Sequence, residues 1–547
     1  MSNALNKINP YLLIILAGGI LFFPFLGLVH LFDWDEINFA ESAREMLLTN
    51  DYFRVRVNFQ PFWEKPPLFI WLQALAMKVF GMNEYAARFP NAITGIVTLV
   101  ILFTIGRKHF GTQLGWWWIV VYAGSFLPHL YFKSGIIDPL FNLFIFLGIY
   151  FLFRTTTTDI PASRRKLISL AGVFVGLGVL TKGPVALLVT LLTLLVYFIV
   201  RRSWKTFSVK EYLLFFTFII LIAFCWFGVE TMRNGPWFLQ EFIIYQIRLF
   251  RTQDAGHGGP FIYHFIVLYV GCFPASVFIF NAFKKNTTDS SDQQLFRIWM
   301  IISFFVVLLL FSIVKTKIVH YSSFCYFPLT FFAAYSIDKI IKREISFKKY
   351  HVWQIAVLGS LIAIAITAFP LILMNKEKLV KEYGYLIKDP FALANLEAAI
   401  EWNGFEFTIG IAYFLLIMIA LFQKSTDNKL KILFAATALV IFTTLAAIVP
   451  KIERFSQGAA IDFFKSLQDK EVYVDVIGYK SYAQLFYTKK KPIRDTLSIN
   501  KEWLLHGPVD KDVFLVSKID NPQLDHEPDF QKIGSKNGFV FYWRKAK

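Results

Sequence analysis

Acidic residues stand in this chain directly beside long apolar runs. The stretch HLFDWDEINFAESAREM places Asp33, Asp35 and Glu36 just after the first apolar run, and SGIIDPLFNLF places Asp138 at the start of another. Charge is expensive at membrane depth and is usually paired or functional. A carboxylate at such a position can act as a general base or bind the hydroxyl groups of a sugar.

Basic and other polar residues stand at comparable positions. They are Lys65, beside Glu64, in FWEKPPLFIW; Lys182 in VLTKGPVALL; Arg248, Arg251 and His257 in YQIRLFRTQDAGHGGPF; and Lys315, Lys317, His320 and Tyr321 in IVKTKIVHYSS. Cations at the edge of a membrane suit an anionic head group, and phosphate is the obvious candidate. The two sets of residues together predict a site that binds both phosphate and hydroxyl groups.

Several of these residues also have a purely structural interpretation. Asp33 and Glu36 have the spacing of a capping box, followed by a pattern that predicts a helix lying on the membrane. Asp138, just before a proline, can cap a helix. Lys182 can extend its ammonium group to the interface. His257 stands in a glycine-rich loop and can simply be exposed. No one of these residues decides the function by itself.

The composition is that of a membrane protein. The chain has 547 residues, of which 56% are hydrophobic and only 17% are charged, and its mean hydropathy is +0.51. Its net charge of +18 is explained first by basic cytoplasmic loops, and nucleic acid is not predicted as a partner. Cys225, Cys272 and Cys325 all fall in apolar runs, so no disulfide framework follows. We predict an all-α polytopic membrane protein, monomeric.

Repeated apolar runs predict about thirteen membrane spans. They begin near residues 11, 89, 112, 136, 167, 184, 212, 262, 294, 322, 352, 405 and 430. Lys and Arg follow every even-numbered span, which predicts a cytoplasmic N-terminus and an external C-terminus. External loops at 32–88 and 233–261 then share one face with the polar residues named above. The spans form a catalytic domain over 1–450.

The composition changes after residue 450. EVYVDVIG and DVFLVSKI are typical of strands, KNGFVFYW is typical of the end of a hairpin, and the segment 481–487 can be helical. Residues 451–547 are therefore predicted to form a small periplasmic α/β domain. The sequence gives this domain no chemistry.

A lipid-phosphate sugar donor would need both sets of polar residues. Its tail would stay in the bilayer, and its phosphate would leave with negative charge that cations stabilise. A carboxylate would deprotonate an acceptor hydroxyl if the acceptor is a hydroxyl. If the acceptor is itself a phosphate, the carboxylate would orient it.

The motifs WDEINFAESAREM, FWEKPPLFIWL, YAARFP, IIDPLFNLF, GLGVLTKGPVALL, IRLFRTQDAGHGGPF and FSIVKTKIVHY occur in this order over roughly residues 30–325. Together they resemble the polyprenyl-phosphate-dependent glycosyltransferases of the GT-C fold, in particular the bacterial lipid A aminoarabinose transferases and the related protein O-mannosyltransferases. The resemblance implies an enzyme of the bacterial inner membrane that takes a sugar from undecaprenyl phosphate on the periplasmic face.

The resemblance also implies roles for single residues. Asp35 would be the base or acceptor-orienting acid, with Asp138 supporting it, and Lys65 and Tyr321 would bind the donor phosphate. Weaker carry-overs complete the predicted site: Lys182, Arg248 and Lys317 for the phosphate, and Glu36, Glu64 and Lys315 for the substrate. Glu64 and His257 resemble a pair that can hold a divalent metal such as zinc, which we treat as optional because two ligands are few.

The chain departs from the aminoarabinose enzymes at three positions. Those enzymes usually have DETRYAE where this chain has DEINFAE, so Asn38 and Phe39 replace an arginine and a tyrosine, and Gly258 stands where an arginine is usual. Arg44 or Arg251 can substitute for the missing cations. The sugar and the acceptor therefore stay open. A protein O-glycosyltransferase and a lipid-linked sugar transporter or flippase are the alternatives.

Overall fold

The computed structural model describes residues 9–251, 258–284, 286–492 and 495–547, which form a helical protein with one small sheet. The helices are α1 (Pro10–Phe22), α2 (Asp35–Thr49), α3 (Leu68–Phe80), α4 (Glu84–Phe110), α5 (Thr112–Ala123), α6 (Phe126–Leu130), α7 (Asp138–Thr156), α8 (Pro161–Lys182), α9 (Val185–Arg201), α10 (Val209–Asn234), α11 (Trp237–Arg251), α12 (Tyr263–Gly271), α13 (Ser291–Ile313), α14 (Tyr326–Ile341), α15 (Lys349–Met374), α16 (Lys376–Tyr383), α17 (Pro390–Asn395), α18 (Thr408–Phe422), α19 (Thr426–Ala447), α20 (Val449–Ser456), α21 (Gly458–Ser466), α22 (Ala483–Tyr487) and α23 (Lys501–His506). Short 3-10 helices cover Tyr131–Lys133, Ala275–Phe283, Val319–Cys325, Gly384–Leu386, Thr496–Ile499 and Gln523–His526.

A helix begins near each of the thirteen predicted spans, so the all-α polytopic architecture is confirmed. In the described chain, six helices are long and apolar enough to cross a membrane: α4, α7, α10, α13, α15 and α19. A seventh span results if α12 and the 3-10 helix after it, which meet at a bend of 113°, count as one. Helices α1, α3, α9 and α18 are apolar but shorter. The count of thirteen spans is therefore not confirmed.

The first external loop is folded rather than extended. It contains α2, α3 and a two-stranded antiparallel hairpin, β1 (Arg56–Val57) with β2 (Gln60–Pro61). The expectation that the helix after Glu36 lies on the membrane is wrong, because residues 36–46 of α2 are all buried. Helix α2 packs on α3 and α22, so protein and not lipid covers its apolar residues.

Helices α7 and α8 form a close antiparallel pair that brings the start of one to the end of the other. Small residues permit this approach: a Cβ added at Gly148 of α7 would lie 2.7 Å from Val175 Cγ2 of α8. Helix α7 begins with Asp138 followed by Pro139, and α8 ends at Lys182 because Gly183 takes a φ of +103°. Asp138 and Lys182 therefore meet on the same side of the bundle.

The tail contains the predicted α/β structure. Its sheet has the order β3-β4-β6-β5, with β3 (Tyr473–Val476) parallel to β4 (Val513–Lys518) and β6 (Phe539–Arg544) antiparallel to both β4 and β5 (Gln531–Lys536). The predicted strands and the hairpin are confirmed. The domain boundary at residue 450 stays a prediction, and it falls inside α20.

The tail and the first external loop share one hydrophobic core. Ile37 and Phe39 of α2 belong to the same buried cluster as Phe486 of α22 and Phe541 of β6. The C-terminal domain is thus packed onto the loop that carries Asp35, and it helps to fix the position of that loop.

Candidate active site

A cavity of about 550 Å³ lies between the first external loop and the ends of the surrounding helices. Its polar lining comes from segments far apart in the chain: Asp33, Trp34, Asp35, Glu36, Lys65, Asp138, Asn142, Lys182, Tyr245, Gln246, His320 and Tyr321. Its apolar lining comes mostly from α7, α9 and α13, and includes Phe141, Ile145, Val185, Val189, Val307, Phe311 and Val314. The cavity therefore combines a polar region that can bind charged groups with an apolar region that can bind a hydrocarbon chain.

Asp138 and Lys182 form an ion pair in this cavity. Lys182 Nζ donates to Asp138 Oδ1 at 2.5 Å. Asp138 Oδ2 is buried and has no hydrogen-bond partner among the described residues. No side-chain capping bond marks the start of α7, so the capping interpretation of Asp138 is not supported. One oxygen of this carboxylate, at the wall of the cavity, therefore lacks a partner within the described residues.

Asp35 stands at the first position of α2 and faces His320. Asp35 Oδ2 lies 3.6 Å from His320 Nε2, and the Asp35 side chain is 41% exposed. Burial lowers the pKa of His320, although Asp138 and Asp35 act in the opposite direction. A neutral imidazole beside an accessible carboxylate can orient that carboxylate without neutralising it. Asp35 is therefore placed to accept a proton from a molecule in the cavity.

Lys65 and Tyr321, which are predicted to contact the phosphate, both line the cavity. Lys65 Nζ lies 5.1 Å from the centre of the Tyr245 ring, and Lys182 Nζ lies 5.5 Å from the centre of the Tyr321 ring. Burial lowers the pKa of Lys65, and the nearby charges of Asp35 and Glu64 partly offset this. The cavity thus brings two ammonium groups and a phenol to one wall.

Arg248 lies just outside this wall. Its guanidinium is 5.2 Å from the centre of the Tyr245 ring, the same ring that Lys65 contacts, and Tyr245 and Arg248 lie on one face of α11. Arg248 is exposed and is not part of the cavity lining. Its role in phosphate binding stays a prediction.

Two predicted site lysines lie away from the cavity lining. Lys317 is buried, and its Nζ donates to the carbonyl oxygens of Phe311, Ser312 and Val314 at 3.0, 2.7 and 2.6 Å. These bonds occupy the carbonyl groups at the end of α13, which favours a structural role. Lys315 is exposed and lines no part of the cavity. Phosphate binding by Lys317 and substrate binding by Lys315 stay predictions.

Glu36 is paired inside the protein. Its carboxylate accepts hydrogen bonds from Arg88 Nε at 3.0 Å and from an Arg88 terminal nitrogen at 2.7 Å. The backbone N–H groups of Phe32 and Gly135 also donate to it, at 3.0 and 2.5 Å. Burial alone would raise the pKa of Glu36, but Arg88 and these amides hold it below its ordinary value. Substrate binding by Glu36 stays a prediction, and the geometry favours a structural role.

The predicted metal pair cannot be placed. His257 lies outside the described residues, and Glu64 is half-buried near Lys65 without lining the cavity. Within the described ranges, no group of three or more His, Cys, Asp or Glu side chains could hold a metal ion. The divalent metal therefore stays a prediction.

The sequence indicated His320 only as one of the polar residues of the predicted site, without a role of its own, and it indicated no role for Tyr245 or Trp34. His320 precedes Tyr321 directly, and Tyr245 precedes Arg248 by less than one helical turn, so adjacency to predicted residues was the available signal. The contact between the C-terminal domain and the first external loop was not predicted either. The Ser481 hydroxyl donates to Asp33 Oδ2, and the backbone N–H of Tyr482 donates to Asp33 Oδ1 at 3.2 Å. Asp33 thus ties the catalytic loop to this domain instead of capping α2.

Comparisons with known proteins agree with this arrangement. The family model for dolichyl-phosphate-mannose-protein mannosyltransferase matches residues 64–227. The undecaprenyl phosphate-alpha-4-amino-4-deoxy-L-arabinose arabinosyl transferase of Photorhabdus laumondii is 25% identical over 68% of this chain and 67% of its own length. The enzyme of the same name from Wigglesworthia glossinidia brevipalpis is 24% identical over 75% of this chain and 76% of its own length.

One solved structure covers almost the whole chain. The crystal structure of ArnT from Cupriavidus metallidurans bound to undecaprenyl phosphate superposes with a TM-score of 0.77, covering 97% of both chains at 17% identity. A likeness at this identity establishes the fold, which is the GT-C fold.

The fold, the cavity and the relatives define the class of protein: the chain is a multi-pass membrane glycosyltransferase. Within that class it resembles the undecaprenyl phosphate-aminoarabinose transferases over about two thirds of its length.

Proposed function

We propose that this enzyme transfers a sugar from undecaprenyl phosphate to a glycolipid of the lipid A type on the outer face of the bacterial inner membrane. The cavity carries the proposal, because it joins an apolar lining on membrane-spanning helices to a wall of two ammonium groups and two carboxylates. The apolar part suits the polyprenyl chain, and the polar part suits the phosphate and the sugar. The relatives' undecaprenyl phosphate donor is consistent with this division.

The transfer needs few groups. Lys65, Lys182 and Tyr321 bind the donor phosphate and stabilise the negative charge that it carries away. The unpaired oxygen of Asp138 accepts a hydrogen bond from a sugar hydroxyl. The acceptor oxygen forms a bond to the anomeric carbon while the bond from that carbon to the phosphate oxygen breaks. If the acceptor is a hydroxyl, its proton passes to Asp35; if it is a phosphate, Asp35 orients it.

The orientation is part of the proposal. Basic residues follow the even-numbered predicted spans, which supports a cytoplasmic N-terminus and a periplasmic C-terminal domain. The site then faces the periplasm, where lipid A acceptors are found. The specific sugar is not assigned, because Asn38 and Phe39 replace residues that are usual in the aminoarabinose enzymes.

The test is a transfer assay with purified protein in nanodiscs. A panel of undecaprenyl-phosphate sugars is supplied with lipid A or with an extract of exported proteins, and free undecaprenyl phosphate and labelled acceptor are measured. We expect release with one donor, labelled lipid A, and loss of both in Asp35→Asn and Asp138→Asn.

Asp427→Asn is the matched control, because among the described residues Asp427 forms an ion pair only with Lys431, on an exposed face of α19. Labelled protein without labelled lipid A would favour the O-glycosyltransferase alternative, which the mannosyltransferase family match at residues 64–227 supports. No release from any donor by a folded protein would overturn the proposal.

A further inference from the structure

Trp34 lies where the catalytic loop meets the C-terminal domain. It directly precedes Asp35, it lines the cavity, and its side chain is partly exposed. Its ring is held in place, because Trp34 Nε1 donates to the backbone oxygen of Lys480 at 3.2 Å. A large flat ring is therefore presented next to the carboxylate that we assign to the acceptor.

Lys480 adds a positive charge to the same place. Its Nζ lies 4.6 Å from the centre of the Trp34 ring and 5.5 Å from the centre of the Tyr482 ring. The residue itself is exposed. Two bonds from Ser481 and Tyr482 to Asp33 hold this segment against the catalytic loop. The segment 480–482 thus lies against Asp33 and Trp34, which line the cavity, and we call Trp34 with this segment the rim.

This rim and the phosphate wall belong to one cavity but make different contacts. Lys65 and Arg248 contact Tyr245 of α11, and Lys182 contacts Tyr321, whereas Trp34 contacts the C-terminal domain. Asp35 directly follows Trp34 in the chain, and its charge acts on Lys65. In a one-step displacement the acceptor attacks from the side opposite the leaving group, so the acceptor must approach from a side that the phosphate does not occupy. The rim meets that requirement.

We propose that Trp34 and Lys480 form the acceptor subsite and bind a saccharide that carries an anionic group, as in a phosphorylated glycolipid. The inference rests on the proposed function. The indole ring offers a flat surface to a sugar ring, as aromatic side chains do for apolar faces. The ammonium group forms a charge-assisted hydrogen bond with a phosphate. The C-terminal domain then contributes directly to the choice of acceptor.

The test measures the acceptor and the donor separately. Bisphosphorylated lipid A in nanodiscs is the acceptor probe, and its Kd is measured without donor, while KM for acceptor and for donor come from the transfer assay. We expect Lys480→Gln to raise the Kd and the acceptor KM by roughly ten-fold, the size typical of a lost hydrogen bond to a charged group. The donor KM should change less than about two-fold.

Three further variants make the result specific. Lys480→Arg keeps the charge and should restore most of the acceptor affinity. Trp34→Leu should raise the acceptor KM while the melting temperature shows that the protein is folded. Lys532→Gln removes the same charge from an exposed position on β5 and should change neither KM. Dephosphorylated lipid A should lose the difference between wild type and Lys480→Gln.

The outcomes separate the two proposals. Turnover with unchanged acceptor Kd and KM in both Lys480→Gln and Trp34→Leu would overturn the subsite and leave the proposed function standing. No turnover from any donor, with lipid A binding still weakened by Lys480→Gln, would overturn the donor assignment and support the subsite. Labelling of an exported protein in place of lipid A would overturn the glycolipid acceptor.

Discussion

Two buried ion pairs, Glu36 with Arg88 and Asp138 with Lys182, lie on the same side of this protein. They differ in how many hydrogen bonds the carboxylate accepts. Glu36 accepts four hydrogen bonds from Arg88, Phe32 and Gly135. Arg88 donates further to the carbonyl oxygens of Leu26, Val29 and His30. Asp138 has one bond, from Lys182, and a buried oxygen without a partner among the described residues.

The difference separates a structural carboxylate from a reactive one. A buried polar atom without a partner costs free energy and marks a place where a ligand or water belongs. A carboxylate with every acceptor position used fixes the backbone around it instead. Glu36 joins α2 to α4 through Arg88, whereas one oxygen of Asp138 is left without a partner among the described residues, as expected for the sugar contact that we propose.

The largest expected effect comes from breaking the satisfied pair. Arg88→Met leaves Glu36 buried without its cation, which should lower the free energy of unfolding by about 3–5 kcal/mol. The measurement is thermal unfolding of the purified protein in detergent. The double variant Arg88→Met with Glu36→Leu removes the stranded charge and should recover part of the loss. An Arg88→Met protein as stable as wild type but inactive would contradict the structural assignment.

Breaking the other pair should affect activity instead of stability. Asp138→Asn keeps the shape of the side chain but weakens its bond to a sugar hydroxyl and to Lys182. We expect kcat to fall by about 10²–10³, the loss typical of removing one transition-state contact. The melting temperature should stay close to that of wild type. A destabilisation as large as that of Arg88→Met would show that both pairs are structural.

Two of the three lysines predicted to bind phosphate can be separated in the same way. Lys65→Gln should raise the donor KM about ten-fold or more, since a charge-assisted contact is lost. Lys317→Gln should lower the melting temperature and spare the donor KM, because Lys317 donates to three carbonyl groups at the end of α13. Lys378→Gln, at an exposed position of α16, is the control. A raised donor KM in Lys317→Gln would restore the sequence prediction.

The residues that line much of this site could be predicted from the sequence, because charged and polar residues are rare beside long apolar runs. Asp35, Lys65, Asp138, Lys182 and Tyr321 all line the cavity, as their positions at the ends of apolar runs suggested. The positions of the helices could be predicted from the repeated apolar runs.

The sequence alone could not show which carboxylates have all their hydrogen bonds made within the protein, because the groups that donate to them lie far away in the chain. Gly135 donates to Glu36 across 99 positions, and Ser481 donates to Asp33 across 448. Neither bond leaves a local pattern. The count of thirteen spans is not confirmed either, since four of the apolar helices are shorter than a full span.

Glu45 lies on α2 with Glu36, but its pKa is shifted in the opposite direction. Burial and the neighbouring Glu41 raise the pKa of Glu45 to about 9, although the backbone N–H of Phe59 donates to it at 2.8 Å. A carboxyl group with a raised folded-state pKa binds its proton more tightly in the folded protein. Its contribution to stability is therefore greatest at low pH and is lost as pH rises towards 9.

Glu45→Gln removes this titration while it keeps an oxygen for the Phe59 amide. We expect the variant to gain stability relative to wild type as pH rises from about 6 to about 9, by up to about 3–4 kcal/mol, because over this range the glutamate is ionised in the unfolded chain and protonated in the folded protein. Thermal unfolding across this pH range measures it. Glu36→Gln is the matched control on the same helix, and it should be less stable than wild type throughout, because the lowered pKa of Glu36 keeps that carboxylate charged and bound to Arg88. If the Glu45→Gln difference does not depend on pH, then Glu45 is already ionised at neutral pH, and burial alone does not distinguish the two glutamates.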